Sequence, residues 1–433
     1  MKAVILAAGK GKRLRPITST RPKPMIPLSG KPLLEHNIMN LKSAGITEIL
    51  LIVGYKQESI KKYFGNGSKY NIRIEYITQE QYMGTANATA YAKNFVKDDS
   101  FLLLYGDILV EGDVFKEINN LFKEKNPEGL ISLIQVENPS EYGIIALDHN
   151  NYVKNIKEKP LPELHLGNLA NAGIYVFSSK IFQAIDMTQK SVRNEYEFTD
   201  SMKILIEDLK GKIVGYQINE KFWSDIGLPW QILEANKYLL DKIERKTEGK
   251  IEENVHVTGK VSIGKDTVVK SGTYIKGPVF IGENCKIGPN SYIRPYTSIG
   301  NNCHVGMSEI KNSIIYANSA IPHFNYVGDS IICEHVNLGA GTKISNLRFD
   351  KLSIKMTINK NIIDSHRRKL GCILGPYSQT GINSSIMCGC IISENSIIGA
   401  HTLINSDVPR NTLVYQDSNG NLVTRINPFT KIN

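Results

Sequence analysis

From residue 251 onward a branched apolar residue returns at every sixth position: Ile251, Val257, Ile263, Val269, Ile275, Ile281, Ile287, Ile293, Ile299 and Val305. A strand repeats every two residues and a helix every 3.6, so neither alone explains a period of six. Six residues do supply one short strand and one turn, with the branched side chain pointing inward. Three such units close one coil, and stacked coils make a parallel β-helix with a narrow apolar prism inside. In four of the last five units the next residue is glycine, at Gly282, Gly288, Gly300 and Gly306. The register lapses after Val305, returns at Ile332, Leu338 and Ile344, lapses again, and resumes at Ile386, Ile392, Ile398 and Ile404. Each lapse predicts a loop leaving the prism. The longer one, residues 346–371, carries the basic cluster Arg367, Arg368 and Lys369, and loops on a rigid scaffold are where binding sits.

The first half has another rhythm. The runs "KAVILAA", "EILLIVGY", "IRIEYITQ", "SFLLLYGDILV" and "EGLISLIQV" alternate with helical patterns such as "PLLEHNIMNLKSAG" and "QESIKKYFGN". Unbroken apolar strands separated by amphipathic helices predict a doubly wound α/β domain with a largely parallel sheet covered on both faces. A chain of 433 residues is too long for one ordinary core. The expected division is residues 1–228, a linker helix over 229–250 with Trp230, Leu233, Leu240 and Ile243 at helical intervals, and a β-helix over 251–433.

A net charge of +10 raises nucleic acid and membrane surfaces as partners, but no run of five or six like charges occurs. The excess reads as a solvated face with some cations reserved for phosphate, so neither nucleic acid nor membrane is expected. No leader pattern begins the chain and no apolar run approaches the ~18 residues of a membrane span, which predicts a cytoplasmic protein. All six cysteines lie beyond residue 280 without paired C-x-x-C spacing, so free buried thiols are expected rather than a zinc site.

After the first strand comes "LAAGKGKRLRPITSTRPKP". A dinucleotide fingerprint would need glycine three positions after Gly11, where Leu14 stands, and the P-loop pattern is absent. What remains is Gly9 and Gly11, whose backbone N–H groups can approach anionic oxygens, with Arg13 and Lys23 as nearby cations.

The pattern "LAAGKGKRLRPIT" followed by "RPKPMIPL" resembles the signature of sugar-1-phosphate nucleotidyltransferases. The resemblance implies a Rossmann-like fold, with Leu6, Ala7, Gly9 and Gly11 around the nucleotide and Gln79, Gly84 and Thr85 at its base. It makes Arg13 and Lys23 catalytic and assigns Asp107 of "YGDILV" and Asp225 of "WSDIG" to Mg2+. Gly143, Glu158, Lys159 and Asn171 fall to the sugar and its phosphate. Singly, Gln79 would be a surface residue, Glu158 and Lys159 an exposed pair, and Asp107 a turn former. Their joint occurrence in order outweighs those readings.

Further on, "GPNSYIRPYTSIG", "SEIKNSII", "IPHFNYVGDS" and "VNLGAGTKISNLRFD" resemble the acetyltransferase domain of bifunctional enzymes that acetylate glucosamine-1-phosphate and couple the product to UTP. That resemblance implies a left-handed β-helix, an exception to the usual crossover rule, and a homotrimer joined through it. Arg294 and Lys311 would hold the substrate phosphate, Tyr326 and Asn337 its sugar, and Ala340 and Asn346 acetyl-CoA. His323 would be the general base. His256, His304, His335 and His401 read as structural, and Gly375 and Ala400 are further coenzyme candidates. The stretch "LGPYSQTGINSSIMCGCIISENSIIGA" departs from the pattern by lacking several turn glycines. "NLRFD" and "RRKLG" look archaeal, which implies several sugar phosphates and both UTP and dTTP as substrates. Two alternatives stay open: a glucose-1-phosphate nucleotidyltransferase whose β-helix only trimerises, and a regulatory subunit of the translation-factor kind.

Overall fold

The computed structural model describes residues 1–161 and 167–429. The chain forms two compact units. The first comprises Met1–Lys10, Pro22–Met25 and Leu33–Asp225, and the second Gly11–Arg21, Ile26–Pro32 and Ile226–Asn433.

In the first unit, β1 (Lys2–Ala7), β2 (Glu48–Val53), β3 (Arg73–Thr78) and β4 (Phe101–Tyr105) form parallel pairs in the order β3-β2-β1-β4. Successive residues of β1 serve opposite faces: Ala3, Ile5 and Ala7 join one apolar cluster with Leu34, Ile38 and Leu41, while Val4 joins another with Ala86, Ala88 and Ala92. Burial on both faces explains why the run is apolar throughout rather than alternating. The strand order reverses between β1 and β4, and in such sheets ligands bind beyond the strand carboxyl ends at that point. The rest of the sheet corrects the expectation of a largely parallel one. Leu169–Phe177 runs antiparallel to β4 and to Gly129–Gln135, and Val153–Glu158 antiparallel to Gly143–Leu147. Only residues 148–152 join the last pair, far fewer than a parallel crossover needs.

The second unit contains three parallel sheets in which each strand pairs with the one three further along. Ile263 pairs with Ile281, Val269 with Ile287 and Ile275 with Ile293, so one coil takes three six-residue units. The inward side chains are almost fully buried from Ile263 to Ile404. Coiling starts earlier than the sequence suggests, because Lys246–Thr247 pairs with Ser262–Ile263, inside the stretch read as linker. The helix Pro229–Asp241 belongs to this unit as well: Asn236 Oδ1 accepts hydrogen bonds from the Ser298 hydroxyl and the Ser29 N–H, each at 2.8 Å.

The first register lapse is not a loop. Ile293 pairs with Ile310, Ile310 with Val327, Ile299 with Ile315 and Val305 with Ile321, so the prism continues through shortened corners. The second lapse does leave the prism: Ile332 pairs directly with Leu374, and between them Lys355–Ile358 and Asn361–Asp364 form a hairpin. Its Arg367 pairs with Glu234 at 3.0 Å. The stack ends where Thr412–Gln416 joins Ile397–Ile398 and is capped by the antiparallel strand Leu422–Ile426. All six cysteines are free, and every one but Cys388 is buried. Among the described residues, no helix is long and apolar enough to cross a membrane.

Candidate active sites

In the first unit, β1 and β4 deliver their following residues to the switch point, Gly9 after one and Asp107 after the other. Leu6 and Ala7 end β1, Leu6 pairing with Tyr105, and a Cβ added to Gly9 would meet nothing within 4 Å. Trp223–Ser224 runs antiparallel to Leu109–Val110 with Ser224 opposite Leu109, which carries Asp225 toward Asp107. Lys23 closes the group. Its Nζ lies 2.5 Å from Asp107 Oδ2 and 3.2 Å from the Asp225 carbonyl oxygen. The lysine side chain is 12% exposed and the aspartate 37%, so the carboxylate keeps an open side.

Gln79 is 5% exposed, which removes the reading of a surface residue. Its Nε2 donates to Asn87 Oδ1 at 3.3 Å, and its backbone N–H to the Val53 carbonyl at 2.8 Å. Gly84 has φ +106, and a Cβ there would lie 2.4 Å from the Tyr196 carbonyl oxygen, so only glycine fits. Thr85 opens the helix Thr85–Ala90, and its hydroxyl accepts from the Phe198 N–H at 3.1 Å. Gly143 pairs with Glu158 across the hairpin, with Glu158 Oε2 2.9 Å from where a Gly143 Cβ would stand and Asn171 Cβ 3.8 Å from it. Three of the four predicted sugar-phosphate residues therefore meet. Lys159 follows with φ +42, its N–H donating to the Tyr142 carbonyl at 3.0 Å. Asn171 Nδ2 donates to the Tyr175 hydroxyl at 2.7 Å. Arg193, not anticipated from the sequence, sits 3.3 Å from Glu158 and 2.9 Å from Glu197.

Gly11 and Arg13 belong by their contacts to the second unit. Gly11 has φ +58 and leads into the turn Lys12–Leu14. Arg13 Nη2 comes 2.9 Å from where a Cβ on Gly227 would be, two residues after Asp225.

On the β-helix, register places the predicted acetyltransferase residues. Tyr292, Glu309, Tyr326 and Lys343 stack in successive coils of one sheet. On this face Arg294 Nη1 donates to Glu309 Oε1 at 2.7 Å, which raises the guanidinium pKa further. Lys311 pairs with Asp329 at 3.0 Å, and Asn346 Nδ2 donates to Asp329 Oδ2 at 2.6 Å and to the Tyr326 hydroxyl at 3.2 Å. Burial raises the Tyr326 pKa, keeping the phenol protonated. A Cβ on Gly328 would lie 2.6 Å from Asn346 Nδ2, so a side chain there would displace the network.

His323 and Ala340 occupy the same corner of neighbouring coils, the Gly341 N–H donating to the His323 carbonyl at 2.9 Å. His323 is exposed, and Asn337 projects from a different sheet, between Ala320 and Gln379. His335 and His401 hold left-handed corners at φ +59 and +54. Burial, then Lys286, His323 and Lys270, lower the His304 pKa.

Asp329, 3% exposed, is the centre the sequence did not reveal. It occupies a left-handed corner, as do Asn284, Asn302 and Asn318, so nothing local separates it from a structural Asx turn.

Residues 2–242 match the nucleotidyl transferase family and residues 275–405 the GMPPB C-terminal domain. The chain is 50% identical over 417 residues to the bifunctional protein GlmU of Methanococcus maripaludis strain C7, covering 96% of this chain and 97% of that protein. It is 46% identical to the GlmU of Methanocaldococcus jannaschii, covering 96% and 98%. With the bifunctional sugar-1-phosphate nucleotidylyltransferase/acetyltransferase of Sulfurisphaera tokodaii it shares 43% identity over 410 residues, 94% and 98% of the two chains. Among solved structures, a UDP-glucose pyrophosphorylase complexed with UDP-glucose superposes with a TM-score of 0.51 at 25% identity, covering 56% of this chain and 99% of that one. With both halves matched in order and nearly the whole length aligned, the chain belongs to the archaeal bifunctional sugar-1-phosphate nucleotidylyltransferase/acetyltransferase family.

Proposed function

We propose that this chain transfers a nucleotidyl group from UTP or dTTP to a sugar-1-phosphate, releasing pyrophosphate, and N-acetylates glucosamine-1-phosphate with acetyl-CoA. The observation that carries the first activity is the contact of Lys23 with Asp107 and with the Asp225 carbonyl at the switch point.

The attacking phosphate oxygen is already ionised, so no protein nucleophile is needed and the task is to bring mutually repelling anions into line. Gly9 and Gly11 let backbone N–H groups approach the triphosphate. Arg13 and Lys23 neutralise charge growing on the α-phosphoryl and on departing pyrophosphate. Gln79 hydrogen-bonds the base, and uracil and thymine offer it the same edge. Glu158, Lys159, Asn171 and the open position at Gly143 receive the sugar phosphate. Among the described residues no group of three or more His, Cys, Asp or Glu side chains gathers as a metal site. A pair of carboxylates fits Mg2+, which keeps several waters and binds through one or two carboxylates plus substrate phosphates. Asp107 and Asp225 would hold it, and when bound it screens the phosphate oxygens.

For acetyl transfer, Arg294 and Lys311 hold the phosphate, and Tyr326 and Asn337 the sugar. Ala340 and Asn346 face the coenzyme. His323 accepts the amine proton as nitrogen attacks the thioester carbonyl, breaking the C–S bond and releasing the thiol. The polar network around Asp329 supports this reading, because it fixes Lys311, Asn346 and Tyr326 relative to one another. We also propose that the β-helix forms a homotrimer, supported by the exposed Tyr274, Tyr292, Met307 and Phe324 along it. A reducing, cytoplasmic setting is supported by six free cysteines.

The test is a substrate panel: UTP or dTTP against glucose-, N-acetylglucosamine- and glucosamine-1-phosphate, with and without acetyl-CoA and Mg2+. Pyrophosphate release with at least one sugar-1-phosphate, and acetylation of glucosamine-1-phosphate, are expected. Absence of the second with the first intact would leave a nucleotidyltransferase on a scaffold.

A further inference from the structure

A cleft of about 290 Å³ lies wholly within the second unit. Lys12, Arg13 and Arg15 line it from the turn after Gly11, and Lys360 from the tip of the hairpin that leaves the prism. Among the described residues, none of these four cations is held in an ion pair. The carboxylate in the lining is Asp407, whose Oδ1 accepts the Ile391 N–H at 2.7 Å. Four cations against one carboxylate leave positive charge in excess, and the walls of a cleft focus its field.

The hairpin reverses on two residues, Asn359 and Lys360, between the paired Ile358 and Asn361. Both are left-handed, at φ +49 and +70. This is a type I′ turn, which favours Asn-Gly, and lysine stands where glycine would carry no strain. The arm behind the tip is firmly seated. Ile354, Met356 and Ile358 are buried, and a Cβ on Gly389 would lie 2.5 Å from the Lys355 carbonyl oxygen. A strained cation held on a packed arm, facing other unpaired cations, points to a ligand.

We infer that this cleft binds a phosphate-bearing anion of about diphosphate size, with Lys12, Arg13, Arg15 and Lys360 as its cationic wall. Arginine forks suit phosphate oxygens, and the lysines add compact charge. The volume sits at the lower end of small-molecule sites, about 300–1,000 Å³, which suits a diphosphate and not a nucleotide sugar. Arg13 is shared with the nucleotide site proposed above, whereas Lys12, Arg15 and Lys360 serve neither proposed reaction. The site therefore goes beyond both activities and depends on neither.

The experiment titrates inorganic pyrophosphate, without Mg2+, into the full-length chain and follows the heat of binding. Arg15→Ala, Lys360→Gly, Lys23→Ala and Lys351→Ala are compared with the parent, Lys351 being an exposed lysine of the same excursion outside the cleft. Thermal midpoints are measured on each. Saturable binding is expected in the parent, weakened about tenfold in Arg15→Ala and in Lys360→Gly, the size of one charge-assisted hydrogen bond. Lys351→Ala should bind as the parent does. Lys360→Gly should also keep or raise the thermal midpoint, because glycine relieves the left-handed backbone, which separates lost binding from lost folding. Lys23→Ala, which disables the proposed nucleotidyl site, should retain the binding, so failure of that reading is told apart from failure of this one. A parent that binds no pyrophosphate overturns the site, as does unchanged binding in Arg15→Ala and Lys360→Gly. Equal weakening in Lys351→Ala, or loss in Lys23→Ala, overturns it too.

Discussion

Asp107 and Asp225 are remote in sequence and meet because a two-residue strand after β4 pairs with one before Asp225. Tyr292, Glu309, Tyr326 and Lys343 are also scattered, yet they stack because each coil repeats the last. The α/β unit obtains adjacency from topology, which must be complete before any site residue finds its neighbour. The β-helix obtains it from register, so spacing in the chain already is spacing along the stack. The polar network lies where the register changes, in the coils with shortened corners between Val305 and Ile332. A regular prism supplies rigidity, and its irregular coils carry the buried polar groups around Asp329.

The comparison is sharpened most by disabling one site and assaying both. Lys23→Ala removes the ammonium beside Asp107 and should slow pyrophosphate release by about a thousandfold, the upper range for loss of one preorganised charge-stabilising group. Acetyl transfer should be unchanged. An equal fall in both rates would mean that the two regions do not work separately.

His323→Ala should reduce acetyl transfer by about a hundredfold, within the usual range for a positioned general base. Here pyrophosphate release with N-acetylglucosamine-1-phosphate is the control. Retention of acetylation would remove His323 from the mechanism.

Asp329→Asn keeps the shape but takes the charge from Lys311. It should cost about 2 kcal/mol of stability, as expected for a buried hydrogen-bonded group whose partner is left unsatisfied. Urea unfolding measures it, and an unchanged midpoint would show that the network is not held by Asp329.

The smallest effect concerns pH. Burial and its cationic neighbours lower the His304 pKa in the folded chain. As pH falls below about 6.5, the ordinary histidine value, the unfolded chain takes up a proton first. Stability therefore declines below that pH and levels off once the folded chain also protonates. His304→Asn should flatten this part of the stability profile. A profile identical to that of the parent would show that His304 does not contribute.

The prism was legible because its inward positions obey one rule from Ile251 to Val305. The first lapse was misread as a loop, since losing one residue at a corner and leaving the prism look alike in one dimension. A further signal was present: the doublets Ile314-Ile315, Ile331-Ile332, Ile373-Leu374 and Ile391-Ile392 all fall on one sheet, and their outward members are buried too. An apolar outward position means a covered face, and on that face the outward Ser298, which pairs with Ile314, donates to Asn236 of the helix Pro229–Asp241. What no local pattern revealed is that residues 11–21 and 26–32 pack with the β-helix, because their own sequence reads as one loop of the first unit. Lys23, Asp107 and Asp225 stand out only through a resemblance. Glu309, Asp329 and Arg193 escaped because the residues that hold functional groups in place look like any other surface charge until their partners are known.

The central claim is that one chain carries two separable chemistries. Asp107→Asn and His323→Ala proteins should each fail to convert glucosamine-1-phosphate, acetyl-CoA and UTP into UDP-N-acetylglucosamine, whereas an equimolar mixture should form it. A mixture that makes no product, or either variant making it alone, contradicts the account.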